Sequence, residues 1–339
     1  MSKSLEIPCA YQGGKNRIAK QIVDIIFREN KINEYTKFYD LCCGSGSISV
    51  ELVNRGIKPQ NIIMLDKSPW GLFWQMVGNG EFDTEKFADY IGDIPSDVSE
   101  IQSHIKELYK QPANIDTVYK FLLLQASSFG SKAVWLKSDS EWATSSFRSY
   151  WTPTATSSRR SPVNPMMPMP NTLKDRVNRI ALHMKGIKGI YDNIKNLTDF
   201  ESNSVIYIDP PYQNTSGYGY EFNILEYINK LNKTVYVSEG VKMSETAHLI
   251  SGSRSKGGIS GNRKSTNEEW LNVFEHIESP LKEYEVNFRL SGNYYIDAKD
   301  ENEARNIVNN LLNCRWKEIE QLLNTGIKVD DYTTDVIEM

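Results

Sequence analysis

The sequence predicts an α/β fold: an open parallel sheet, interrupted by an inserted helical and loop region and followed by a small α+β unit. Three observations carry this expectation. A short apolar run, Lys37–Leu41, stops at a glycine turn, Gly44-Ser45-Gly46. It gives way to a helical pattern and then to a second apolar run, the opening of a parallel βαβ unit. A further apolar run, Val205–Ile208, ends in the rigid tetrapeptide Asp209-Pro210-Pro211-Tyr212. With 339 residues, 40% of them apolar, two or three domains with a sizeable core are affordable.

Asn16–Glu29 places Ile18, Ile22, Ile25 and Ile26 at helical spacing. Lys37–Leu41 reads as a strand, Ser47–Asn54 as a helix, and Asn61–Leu65 as a strand ending in Asp66. Trp70–Gln125 is mainly helical in pattern. From Ala126 to Asn171 Ser, Thr, Pro and Arg dominate, interleaved with Phe129, Trp135, Trp142, Phe147, Tyr150 and Trp151. A stretch this long without regular pattern points to a functional segment, and its aromatic content argues against simple disorder. Thr172–Lys195 reads as helix, and Val205–Ile208, Thr234–Val237 and Trp270–Phe274 as strands. Ser251–Lys264, rich in Gly, Ser and basic residues, reads as a mobile loop. Beyond Pro280, Tyr284–Leu290 and Tyr294–Ala298 are expected to pair across Ser291-Gly292-Asn293, with a helix over Glu301–Leu312. The expected organisation is therefore a discontinuous domain of residues 1–70 and 190–275, an insert at 71–189, and a small acidic ββα unit at 280–339.

The net charge of -4 excludes a uniformly basic nucleic-acid binder, but charge is unevenly distributed. Ala126–Lys188 carries ten Lys/Arg against three Asp/Glu. Ser251–Lys264 carries Arg254, Lys256, Arg263 and Lys264 and no acid, whereas Glu275 to the end carries seven basic and fourteen acidic residues. Local basic patches matter more for phosphate binding than the total. The four cysteines, Cys9, Cys42, Cys43 and Cys314, have the spacing of neither a zinc site nor a disulfide framework. The N-terminus has no apolar signal region, and no apolar run reaches 18 residues. A cytoplasmic protein with reduced thiols, no metal and no membrane contact is expected.

Gly44 and Gly46 fall at the strand-to-helix turn of Phe38-Tyr39-Asp40-Leu41-Cys42-Cys43-Gly44-Ser45-Gly46, where glycine permits a tight turn and close approach of a ligand. Ser49 stands where the dinucleotide fingerprint needs its third glycine, which disfavours a pyrophosphate ligand. Asp66, ending the next strand, is placed to accept hydrogen bonds from ribose hydroxyls. A nucleoside without a pyrophosphate fits both facts, and S-adenosylmethionine is such a ligand. In the tetrapeptide, Pro210 and Pro211 fix φ and remove two backbone donors. The Asp209 carboxylate and the Pro210 carbonyl are then two acceptors without a competing N–H, suited to the two hydrogens of a base amino group. Tyr212 offers a face for the base to stack on. A chance match to this tetrapeptide in a chain this long is on the order of one in a thousand.

With these motifs the chain resembles the DNA adenine methylase family of class I methyltransferases over about residues 7 to 275. Tyr11-Gln12-Gly13-Gly14-Lys15 looks like its N-terminal motif, with Tyr11 where Trp is usual. The glycine turn looks like its cofactor loop, with Cys42-Cys43 in place of an aromatic pair. Asp199-Phe200 looks like the acid–aromatic pair that holds the cofactor's adenine, and the motif order is that of the alpha group. The resemblance implies a Rossmann-like methyltransferase sheet. It implies that Tyr11, Lys15, Asp40, Gly44, Gly46, Asp66, Asp199, Phe200 and Asp209 serve S-adenosylmethionine, and that Asp209, Pro210, Pro211 and Tyr212 hold the target base. The insert then corresponds in position to target recognition on double-stranded DNA. Arg148, Arg159 and Arg160 are expected on phosphate or guanine, and Arg254, Lys256, Arg263 and Lys264 on phosphate. The expected activity is methylation of adenine N6 after base flipping. Cytosine N4, adenine in RNA, and an inactive nucleic-acid-binding regulator are the rivals.

Overall fold

The computed structural model describes residues 4–114, 116–138, 140–143, 146–211, 222–254, 266–276, 282–287, 293–308 and 335–338. The chain divides into two compact units, Met1–Glu275 and His276–Met339.

The first unit opens with α1 (Ala19–Glu29), which buries Ala19, Ile22, Val23, Ile25 and Ile26 along one stripe. β1 (Lys37–Leu41), α2 (Ser47–Asn54) and β2 (Ile62–Asp66) follow within a residue or so of the sequence expectation. α3 (Pro69–Asn79) starts where Ser68 accepts a hydrogen bond from the Trp70 N–H and Pro69 supplies a helical φ. α4 (Thr84–Gly92) is capped by Asp83. α5 (Ile101–Lys110) and α6 (Thr117–Ser127) complete the helical part of the insert, and every residue of α6 is buried. The Ala126–Asn171 stretch is ordered by a two-stranded hairpin, β3 (Leu136–Ser138) and β4 (Glu141–Trp142), and by single bridges Ser128↔Phe147 and Trp151↔Val163. α7 (Pro170–His183), β5 (Lys188–Tyr191), β6 (Ser204–Ile208), α8 (Ile224–Ile228), β7 (Val235–Glu239), β8 (Thr246–Arg254) and β9 (Thr266–Phe274) close the unit.

Seven strands form one mostly parallel sheet in the order β5-β2-β1-β6-β7-β9-β8. The first five are parallel; β9 runs antiparallel to both β7 and β8. The order reverses between β1 and β6, the switch point at which open α/β sheets bind ligands beyond their carboxyl ends. Registers Leu41↔Leu65 and Leu41↔Ile208 bring Cys42, Asp66 and Asp209 to one row, each one residue past a paired position. Side chains alternate between two apolar layers. Phe38, Ile62, Met64, Val205 and Tyr236 face α1, α2, α3 and the insert helices. Tyr39, Ile63, Leu65, Ile206 and Val237 face α8.

Three expectations are corrected. The helix over Thr172–Lys195 stops at His183, and Lys188–Tyr191 is instead an edge strand paired with β2 from Ile63↔Lys188 to Asp66↔Tyr191. That pairing is long-range, so local periodicity does not report it. The insert does not begin at residue 71: α3 packs on β2 and β5 as a crossover helix, and α3 to α7 share the core of the sheet. The loop expected at Ser251–Lys264 is in part strand, since β8 runs to Arg254 with Arg254↔Thr266 as its last pair; residues 255–265 lie outside those described. Trp142 and Phe147, two aromatics of the 126–171 stretch, are buried in the core.

In the second unit, the expected hairpin forms between β10 (Lys282–Asn287) and β11 (Asn293–Ala298). Residues 301–308 are helical, with Ala304 packed near Ala298; the rest of the expected helix lies outside the described residues. A third strand, β12 (Asp335–Glu338), pairs with β10 and was not legible in the sequence. No described helix is long and apolar enough to cross a membrane.

Candidate functional site

β1 ends where the chain must turn into α2, and the turn uses left-handed backbone at Cys42 (φ 58°), Gly44 (φ 49°) and Gly46 (φ 77°). The two glycines serve different neighbours. A Cβ on Gly44 would lie 2.8 Å from the Tyr11 ring, so that glycine lets the N-terminal motif close over the turn. A Cβ on Gly46 would overlap Trp74 and lie 2.8 Å from the Met64 methyl; Gly46 faces the core and does not line the cavity. The Trp74 indole N–H donates to the Gly44 carbonyl at 2.8 Å, locking the turn to α3.

Two buried carboxylates brace this turn. Asp40 Oδ2 accepts from the Ser49 N–H (3.2 Å) and the Ser49 hydroxyl (2.7 Å), holding the first turn of α2. Asp66 Oδ2 accepts from the Gly44 N–H and Oδ1 from the Ser68 N–H, both at 2.8 Å. Burial pushes the Asp40 carboxyl up to about 7; the Ser49 hydrogen bonds oppose this, and Asp209 and Asp66 add to it. Burial likewise raises Asp66 against its three hydrogen-bond contributions. The Cys42 and Cys43 thiols are held well above their ordinary range, first by burial and then by the surrounding carboxylates, so both stay protonated.

Asp209 follows β6, its N–H donating to the Leu41 carbonyl at 3.0 Å. Lys15 Nζ donates to Asp209 Oδ1 at 2.6 Å and to the Gly13 carbonyl at 2.7 Å, and lies 3.6 Å from Glu269 Oε1. Asp209 Oδ2 has no hydrogen-bond partner among the described residues and is not sealed from the cavity. Burial pushes the Asp209 carboxyl up to about 6; Lys15 pulls it down, while Glu269 and Glu239 push it further up.

Tyr11, Lys15, Asp40, Gly44, Asp66 and Asp209 surround one cavity of about 150 Å³, which Pro210 and Pro211 also line. Sequence reasoning named all six, and they come from four separate segments of the chain. It misplaces others. Phe200 is buried against Tyr39 (ring centroids 4.9 Å apart) and Asp199 is exposed. Both precede β6, so they lie at the amino end of that strand, the edge opposite the cavity. The residues at the carboxyl edge beside Asp66 are Tyr191, which ends β5, and Asp192, which follows it. Arg148 is not a free phosphate ligand: it donates to the Ser128 carbonyl (2.9 Å) and the Ser131 hydroxyl (3.0 Å), and burial lowers its pKa. Arg159 and Arg160 are exposed. Tyr212, Lys256, Arg263 and Lys264 lie outside the described residues, and of Arg254 only the backbone pairing is described.

The structure adds residues that the motifs did not reveal. Ser45 and Ser47 line the cavity with buried hydroxyls that lack a partner among the described residues. Trp135, carried by the insert hairpin, joins the same lining. Glu239 is buried at the carboxyl end of β7 and Glu269 belongs to β9. The signal for Glu239 was present: Val235-Tyr236-Val237-Ser238-Glu239 is an apolar run ending in an acid, like the two runs that end in Asp66 and Asp209. Among the described residues, no group of His, Cys, Asp and Glu is arranged to hold a metal ion. No protein-family model matches the chain, and no curated protein matches it.

Proposed function

We propose that this chain transfers a methyl group from S-adenosylmethionine to the exocyclic amino group of a base, adenine N6 in double-stranded DNA. The observation that carries the reading is Asp209: it lines the cavity with one carboxylate oxygen held by Lys15 and the other without a partner among the described residues, beside two prolines that offer no N–H. That arrangement is an acceptor surface for an amino group.

The residues present fit the cofactor. The two unpartnered hydroxyls of Ser45 and Ser47 await polar atoms, because buried polar groups are normally hydrogen-bonded. Asp66 has lone pairs left for ribose hydroxyls beyond the two N–H groups it already holds. Asp40, Asp66, Asp209, Glu239 and Glu269 outnumber Lys15 and Lys67 around the site, which favours a ligand bearing positive charge. S-adenosylmethionine would supply an electrophilic methyl group on a sulfonium.

Asp209 Oδ2 accepts one amino hydrogen of the base and the Pro210 carbonyl the other, which turns the nitrogen lone pair toward the methyl donor. Lys15 keeps Asp209 Oδ1 fixed while this happens. Asp209 then takes the proton released from the amino group, a role for which a carboxyl near 6 is better suited than an ordinary one. Protonated Cys42 and Cys43 offer no thiolate, so attack on a ring carbon through a cysteine adduct is disfavoured. The strained extrusion of a base from the duplex is the step that the insert would assist. Incubation with labelled cofactor and unmodified DNA, followed by digestion to nucleosides, is expected to give N6-methyldeoxyadenosine. Cofactor binding without any transfer to nucleic acid would overturn the reading.

A further inference from the structure

A buried ammonium with two carboxylate neighbours on different strands does more than neutralise charge. Lys15 is 5% exposed at its side chain, Asp209 18% and Glu269 17%. Lys15 Nζ sits close to Asp209 Oδ1 and looser against Glu269 Oε1, so β9 competes with β6 for one cation. In a low-dielectric site the ammonium would otherwise settle between both oxygens of Asp209, where its Coulomb energy is greatest.

We propose that Glu269 is a positioning residue: by drawing the Lys15 ammonium to one side, it confines the Lys15–Asp209 contact to Oδ1 and keeps Oδ2 open for the substrate's amino group. This rests on the reading of Asp209 as the amino-group acceptor, and it extends that reading to a residue no motif includes. The groups facing Asp209 are Lys15 from the N-terminal motif, Asp40 from β1, the Cys42 thiol after it, Tyr207 from β6, Glu239 from β7 and Glu269 from β9. Glu269 is ion-paired to Lys15 and is not among the residues that line the cavity with Asp209. Glu239, which is also negative and near, accepts a hydrogen bond from the Gly240 N–H at 2.8 Å.

The test uses the full-length chain with Glu269→Gln and Glu269→Asp. Removing the negative charge leaves Lys15 wholly to Asp209, so the Asp209 carboxyl titrates at lower pH in Glu269→Gln than in the wild type. This is read by 13C NMR of aspartate-labelled protein without cofactor or DNA, with Asp209→Asn assigning the signal. In methyl transfer, kcat/KM is expected to fall by about tenfold, the size of one charged hydrogen bond, and its acid limb to move to lower pH. Glu269→Asp, which keeps the charge, is expected to restore the wild-type limb. An Asp209 titration unchanged in Glu269→Gln overturns the proposal whatever the enzyme does. A shifted titration without any transfer by the wild type would support the charge network and overturn the methyltransferase reading instead. A shifted titration with undiminished kcat/KM would show that Oδ2 does not depend on Glu269, and the proposal falls.

Discussion

Lys15 Nζ and Asp209 Oδ1 lie 2.6 Å apart although 194 residues separate them. The pair joins the N-terminal motif to the tetrapeptide after β6 and marks the point where the fold's switch point becomes a chemical site.

Asp209→Asn keeps the shape of the side chain and removes its charge and its basicity. Methyl transfer is expected to fall by roughly 10²-fold or more, the usual scale for a lost proton acceptor. Affinity for duplex DNA, measured by calorimetry, is expected to change little. Near-normal turnover in Asp209→Asn would remove Asp209 from its assigned role.

The rate should depend on pH through the same group. The Asp209 carboxyl stands at about 6, raised mainly by burial. Below that pH it is protonated and ceases to accept, so kcat/KM is expected to decline as pH drops through about 6, far above the ordinary carboxylate range. A profile flat down to pH 5 would contradict this.

Stability should carry the opposite pH signature at Asp40. Its carboxyl is raised to about 7 in the folded chain, above its unfolded value. A raised carboxyl favours folding when protonated, so this contribution is fully present below the unfolded pKa and is lost as pH rises through about 7. Asp40→Asn keeps an acceptor for the Ser49 N–H and hydroxyl but cannot titrate. The variant is expected to resist the fall in melting temperature that the wild type shows as pH rises from about 4 to about 7. Parallel melting curves for the two proteins across that range would refute the assignment.

The two glycines of the turn should fail differently. Gly46→Ala meets Trp74 and Met64 in the core with φ at 77°, and is expected to destabilise by about 2–4 kcal/mol in denaturant titration. Gly44→Ala meets the Tyr11 ring at the cavity, and its larger effect is expected on cofactor affinity. Equal losses of stability in both variants would count against this division.

The insert arginines separate in the same way. Arg148→Ala removes hydrogen bonds to the Ser128 carbonyl and Ser131 hydroxyl and is expected to lower the melting temperature. Arg159→Ala together with Arg160→Ala is expected to leave melting unchanged, weaken binding to a DNA duplex and reduce its salt dependence. Unaltered salt dependence would remove these two residues from the DNA face.

The sequence by itself determined the central strands and the acids that end or follow them. Each of β1, β2 and β6 is a five-residue strand of mainly apolar residues that ends at a glycine turn, an acid or a proline pair, and such signals are local. It also determined which residue types could serve a nucleoside and an amino group. Tertiary structure decided which of those residues meet. β5 was hidden because a four-residue strand makes sense only beside β2, and for the same reason Asp199 and Phe200 were assigned to the wrong end of β6. Arg148 looked like a surface cation because its carbonyl partners are contributed by backbone, which composition does not record. Gly46 looked like a ligand contact until Trp74 was seen to occupy its open side. Glu269 entered the site through the pairing of β9 with β7, a hydrogen-bonded register that no spacing along the chain encodes.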